Sequence, residues 1–240
     1  MAARLPRLYV LPPSHYCERA RWGLDHAGIA FAEERWAVGL HVVLARRLAE
    51  KSTLPILDTG TNIIQGSDRI LDWAGLHAGD PEVERRFGDV IGPLIRQYIY
   101  AVTLSDPSSG IRALLLEGVP TWQRRVARLM WPATCRLMVA HMNADARFAH
   151  DFERRITAEL DWFSRRIGDR AYLSEDRFSR TDITAASLLA PLARPEFCRL
   201  YRRLKLPPVL TDAFSRWQDS PALHWTTRIY ALHRGTASSF

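Results

Sequence analysis

The rhythm of apolar positions changes once along this chain. Up to about residue 77, short β-favouring runs trade places with helical stripes; after Pro81 the helical rhythm takes over. Arg7 to Leu11, with Tyr9 and Val10, predicts a short strand that Pro12-Pro13 stops. From His15 to Ala27, the residues Cys17, Ala20, Leu24 and Ala27 recur at helical spacing, with Ser14 as N-cap and Gly28 as the left-handed C-terminal residue. Ile29 to Trp36 predicts a second strand and His41 to Glu50 a short helix. Leu54–Leu57 and Asn62–Ile64 predict two short strands around the turn Asp58-Thr59-Gly60. Ser67 then opens a helix to about His77, with Asp68 in its first turn. The order β-α-β-α-β-β-α implies a mixed sheet flanked by helices.

Gly79-Asp80-Pro81 combines a turn, an N-cap and a proline at the first helical position, and so marks a boundary. Beyond it, Glu82 to Leu104 predicts one long helix kinked at Gly92-Pro93, and Pro120 to Asn143 an apolar, arginine-rich helical stretch. Phe152, Ile156, Leu160, Phe163 and Ile167 form an apolar stripe ending at Gly168. A further helix runs from Arg180 to about Ala193, and two short ones close the chain before a frayed Gly235–Phe240. Trp73, Trp131, Trp162 and Trp217 fall on apolar helix faces and are expected in the core. The division expected is an α/β domain over 5–78, a linker and helix start over 79–86, and an all-α domain over 87–235.

Composition narrows the chemistry. A hydrophobic fraction of 47% supplies ordinary globular cores and argues against disorder. No apolar run reaches the roughly 18 residues a membrane span needs, and Met1–Arg7 carries no secretory pattern. Cys17, Cys135 and Cys198 form no disulfide framework, which suggests a reducing, cytoplasmic setting. Neither they nor the histidines show metal-ligand spacing, so no metal site is expected. The net charge of +7 is almost all arginine, interleaved with acids as in Glu82-Val83-Glu84-Arg85-Arg86. That pattern describes a solvated helical surface better than a nucleic-acid face, and the arginine bias hints at a GC-rich bacterium.

Three stretches carry a resemblance. Ser14-His15-Tyr16-Cys17-Glu18-Arg19 looks like the S-P-x-x-x-[KR] segment that opens the first helix of serine-type glutathione transferases. Thr53-Leu54-Pro55-Ile56-Leu57 with Gly66-Ser67-Asp68-Arg69-Ile70 resembles that superfamily's V-P-x-L … E-S-x-x-I pair. Tyr172-Leu173 with Phe178-Ser179-Arg180-Thr181-Asp182-Ile183 is similar to its Y-L-x-G … [FL]-[ST]-x-A-D-I segment. The resemblance implies a thioredoxin-like glutathione-binding domain followed by a helical bundle domain, and a homodimer.

It also implies roles. Ser14 either is only an N-cap or also donates a hydrogen bond to the glutathione sulfur, whose thiol a helix N-terminus acidifies. Pro55 stands at the superfamily's cis-proline; a cis bond would turn the Leu54 N–H and C=O toward the cysteinyl unit of glutathione, as an added strand. The alternative is an ordinary trans proline starting an edge strand. Ser67 and Asp68 open the helix where the γ-glutamyl carboxylate docks. Gly66 replaces the usual Glu or Gln, with Gln65 as its substitute, and Thr53 replaces a polar anchor. Arg46 or Arg47 is available for the glycyl carboxylate. Ser179 and Asp182 form a capping box, with Phe178 and Ile183 as its hydrophobic staple. Cys17 is either a buried core thiol or the surviving half of a C-x-x-C redox pair, hence an alternative nucleophile.

The leading expectation is an enzyme that adds the glutathione thiolate to a small hydrophobic electrophile, or reduces one, and the resemblance implies that Tyr98, Tyr100 or their neighbours line its pocket. The alternatives are a non-catalytic interaction or stress protein of the same fold, a Cys17-dependent thiol oxidoreductase and, last, a nucleic-acid-binding module.

Overall fold

The computed structural model describes residues 4–174, 177–196 and 198–234; the tail expected to fray, Gly235–Phe240, lies outside them. The chain divides into two compact units. The first holds the residues up to His77 together with Arg112–Thr134; the second holds Ala78–Ile111 and the residues from Cys135 onward.

The first unit is built on β1 (Arg7–Val10), α1 (His15–His26), β2 (Ala32–Arg35), α2 (Leu40–Leu48), β3 (Ile56–Asp58), β4 (Ile63–Gln65) and α3 (Ser67–Trp73). The sheet order is β2-β1-β3-β4, with β1/β2 parallel and the other two pairs antiparallel. Period-two alternation sorts the side chains onto two faces. Leu8, Val10 and Leu57 pack with Cys17, Ala20 and Leu24 of α1 and Ile70 of α3. Their neighbours Tyr9 and Ile56 pack with Trp36 and with Ala45 of α2. Full burial of Leu8, Val10, Leu24, Leu57 and Ile70 is worth about 1.5–3 kcal/mol each. Gly23 lets α1 and α3 approach closely, because a Cβ there would lie 2.5 Å from Leu71 Cδ1.

Glycine closures set the helix ends. After α1, Ile29 N–H bonds Leu24 C=O and Gly28 N–H bonds Asp25 C=O, with Gly28 at φ +68°. The same pair of bonds ends α3, from Leu76 to Leu71 and from Gly75 to Asp72, so that helix stops at Trp73 rather than near His77. The second strand is shorter than Ile29–Trp36 because Ile29 is spent on the α1 closure. The third begins at Ile56 rather than Leu54, since Pro55 has no N–H for the ladder.

Two further helices complete this unit, α6 (Ile111–Leu115, joining it from Arg112) and α7 (Thr121–Leu129). Leu116, Val119 and Ala127 close over Ala37, and the buried Gln123 side chain accepts the Ala37 N–H at 2.9 Å.

The second unit is helical: α4 (Pro81–Arg86), α5 (Gly92–Thr103), most of α8 (Trp131–Met142), α9 (Ala149–Ile167), α10 (Arg180–Ala193), α11 (Arg199–Arg202), α12 (Pro208–Trp217) and α13 (Pro221–His233). The expected single helix from Glu82 to Leu104 is interrupted by a π turn over Phe87–Ile91, because Pro93 lacks the N–H that would bond back to Asp89. The Pro120–Asn143 stretch likewise breaks at Met130, two residues before Pro132. Helix α10 is buried from Arg180 to Leu192. Asp182 accepts the Ser179 N–H at 2.9 Å, the Ser179 hydroxyl at 2.7 Å and the Leu173 N–H at 2.8 Å. Phe178 stacks on His233 with ring centroids 3.9 Å apart.

The tryptophans correct one expectation. Trp217 is core and donates to Thr157, but Trp73 is 40% exposed, and Trp131 and Trp162 are half-buried. Trp162 lies under the Arg86 guanidinium, a stable place for a half-covered indole.

Candidate functional site

Strand register assembles the site. Tyr9 pairs with Ile56 and Ile56 with Gln65, so the segments Val10–Ser14, Leu54-Pro55 and Gly66-Ser67 all leave the sheet at one end. Two sets of bonds fix that corner. Gly66 N–H donates to Pro55 C=O at 3.0 Å. The Gln65 amide donates to Lys51 C=O (2.7 Å) and Thr53 C=O (2.8 Å) and accepts Lys51 N–H (3.0 Å). The Leu54-Pro55 bond is cis.

Ser14 caps α1. Its backbone is extended (φ −78°, ψ 118°), its Oγ accepts the Cys17 N–H at 3.3 Å, and its carbonyl accepts the Glu18 N–H. A hydroxyl that accepts one bond keeps its own O–H to donate outward. Below the helix, Arg21 and Arg35 both donate to Glu33, the latter at 2.7 Å, and Glu18 lies 3.7 Å from Arg21. Burial alone would raise the Glu33 carboxyl, but Arg21 and Arg35 outweigh it and hold Glu33 below the usual carboxylate range. The thiol of Cys17 is fully buried, and that burial pushes its pKa up against the opposing pull of Arg21 and the Ser14 bond. Such a thiol is a weak nucleophile. His15, at the first position of α1, is also buried.

Around α3 the sequence-predicted residues divide. Ser67 is buried at the first position of the helix and Asp68 is exposed beside it. Gly66 sits at φ +105°, and a Cβ on it would lie 2.7 Å from Asp68 Oδ1. The exposed Asp68 carboxylate can move aside, so it is the positive φ that favours glycine here, where the family pattern has Glu or Gln. Gln65 does not take over as a free contact, because its amide N–H groups are spent on the 51–53 loop. That positioning role was invisible in the sequence; the signal would have been a lone polar residue at the end of an edge strand. Arg46 and Arg47 are both exposed on α2. Among the described residues no group of three or more His, Cys, Asp or Glu is placed to hold a metal ion, and no helix is long and apolar enough to cross a membrane.

A thioredoxin-like sheet with a capped α1 and a cis-proline, followed in the chain by a helical region, defines a glutathione transferase-type architecture. The family profile of the glutathione S-transferase N-terminal domain matches residues 8–82. No curated protein matches the chain in sequence. Among solved structures, a glutathione S-transferase from Rhodospirillum rubrum F11 is 15% identical, with TM-score 0.59, covering 95% of this chain and 88% of its own. The β-etherase LigF from Sphingobium sp. strain SYK-6 is 13% identical, with TM-score 0.57, covering 93% and 98%. A theta class glutathione S-transferase from Xanthomonas axonopodis pv. citri, solved with glutathione bound, is 14% identical, with TM-score 0.55, covering 93% and 97%. Residues 8–82 thus match the glutathione S-transferase N-terminal domain, and the chain as a whole has the glutathione S-transferase fold.

Proposed function

We propose that this protein is a glutathione-dependent transferase acting on a small hydrophobic electrophile. The observation that carries this reading is the Ser14 hydroxyl, which caps α1 and faces the same end of the sheet as Leu54-Pro55 and Gly66-Ser67. In this reading the glutathione sulfur lies against the α1 N-terminus and receives the Ser14 O–H. Leu54 pairs with the cysteinyl backbone, and the γ-glutamyl carboxylate meets Ser67 at the start of α3. Gln65 holds the loop in place and Asp68 faces the ammonium group. The glutathione-bound Xanthomonas relative supports a thiol ligand for this fold. A homodimer in the cytoplasm belongs to the same proposal.

A hydrogen bond to a charged group is worth about 1.5–3 kcal/mol, or about one to two pKa units on the bound thiol. Ser14→Ala is therefore expected to raise the thiolate pKa by about that much and slow conjugation of an aryl halide about 10–100-fold, with glutathione affinity little changed. Ultraviolet titration of bound thiolate and steady-state kinetics read both. Unaltered pKa and rate in S14A would remove Ser14 from the chemistry. A second reading, a non-catalytic protein of this fold, is favoured by Gly66, which offers glutathione no side chain. Calorimetry decides: absence of glutathione binding by the intact protein selects it.

A further inference from the structure

The first unit carries a groove that the thiol site does not use. It has a volume of about 430 Å³ and is lined by Arg112 of α6, Arg124 and Arg128 of α7, and Ala113, Leu116, Glu117 and Gly118. We propose that this groove binds a small organic dianion, a doubly charged oxyanion on a compact apolar body.

Three observations converge on it. First, the guanidiniums of Arg112, Arg124 and Arg128 have no ion pair or side-chain hydrogen bond among the described residues, and the Arg124 Nε is buried with no partner. Arg124 and Arg128 stand at i and i+4, so their like charges share one helix face and repel. A buried polar group without a partner is destabilising, because it has given up water for nothing. An oxyanion would remove both costs, because the guanidinium fork matches carboxylate and phosphate oxygens in pairs.

Second, the walls are fixed before any ligand arrives. The Gln123 side chain ties α7 to Ala37, and Leu116, Val119 and Ala127 are packed against that residue. Gly118, at φ +64°, lies under the Arg35 guanidinium so closely that a Cβ would come within 2.5 Å of Nη1. Preorganised walls lower the ordering cost of binding.

Third, size and charge select the ligand. The volume falls in the usual range for small-molecule sites, about 300–1,000 Å³. Ala113 and Leu116 supply an apolar wall, and a lining of three arginines and one acid is net positive, which favours a doubly charged oxyanion over a neutral ligand.

The test is calorimetry on the full chain at neutral pH and physiological salt, with phenyl phosphate and glutarate as the dianions and benzamide as the neutral control. At least one dianion is expected to bind ten times more tightly than benzamide, and the tighter of the two identifies the group as phosphate ester or dicarboxylate. The double variant R124Q/R128Q weakens it at least tenfold. Ala113→Trp, which fills the groove without touching a charge, does the same. Arg125→Gln, outside the groove, leaves binding unchanged. Glutathione does not displace the dianion, and S14A binds it normally, so this proposal and the transferase reading fail separately. No dianion binding, equal loss in R125Q, or displacement by glutathione would each overturn the groove as a separate anion site.

Discussion

Glu33 is the residue on which the seating of α1 depends. Its carboxylate takes donors from Arg21 and Arg35, and its side chain and that of Arg21 are only 10% and 6% exposed. Glu33→Ala leaves the Arg21 charge buried with Glu18 as its nearest remaining acid, 3.7 Å away. Breaking a buried pair by removing one partner costs about 3–5 kcal/mol. Arg35 is 24% exposed and can turn to water, so the lower end, about 3 kcal/mol, applies. With a urea dependence of about 1–3 kcal/mol per molar, the unfolding midpoint should fall by about 1–3 M. Far-ultraviolet circular dichroism and tryptophan fluorescence follow the transition. The double variant R21M/E33M should recover most of the loss, because apolar replacement removes the uncompensated charge. The exposed Arg202–Glu196 pair is the control, and Glu196→Ala should leave the midpoint where it is. The pH dependence follows from sign. Because the Glu33 pKa is depressed in the fold, its stabilisation is complete above the unfolded carboxyl value of about 4.3 and drains away as pH falls through the folded value. An E33A midpoint within about 0.5 M of the native one, or an acid limb unchanged by E33Q, would refute the claim that this network seats α1.

His41 acts in a separate pH window. Burial lowers its pKa to about 4 despite the opposing Ala37 carbonyl, and its Nδ1 accepts the Gly39 N–H at 3.1 Å. The unfolded chain, with a histidine near 6.5, binds more protons between these values, so stability should fall as pH drops from about 6.5 to about 4. The full shift corresponds to about 3 kcal/mol, reduced to about 1–2 by partial solvent access, and the slope should become shallower in His41→Gln when urea midpoints are compared at pH 7 and 5, the remainder coming from His26, whose pKa burial also lowers. Gln65→Ala removes three bonds from the 51–53 loop, so glutathione should bind about tenfold more weakly by calorimetry at unchanged global stability. An unaltered affinity would detach that loop from the thiol site.

The amino-acid sequence by itself determined whatever a residue settles with neighbours three or four positions away. Ser14, Asp80 and the Ser179–Asp182 pair cap where their hydroxyls and carboxylates reach the next turn's amides, and Gly28 closes α1 because a left-handed residue is needed there. The two-sided sheet was legible too, since alternation of Leu8, Tyr9 and Val10 is a local property of the strand. Tertiary structure decided the rest. Only the assembled fold makes Gln65 a loop clasp, exposes Trp73, and lays 112–134 over Ala37 to create an arginine groove. Gln123 and Ala37 are 86 residues apart, and no periodicity encodes a bond at that separation. Such contacts form when burial of apolar surface brings remote segments together, and the polar groups then pair with whatever the packing leaves within reach.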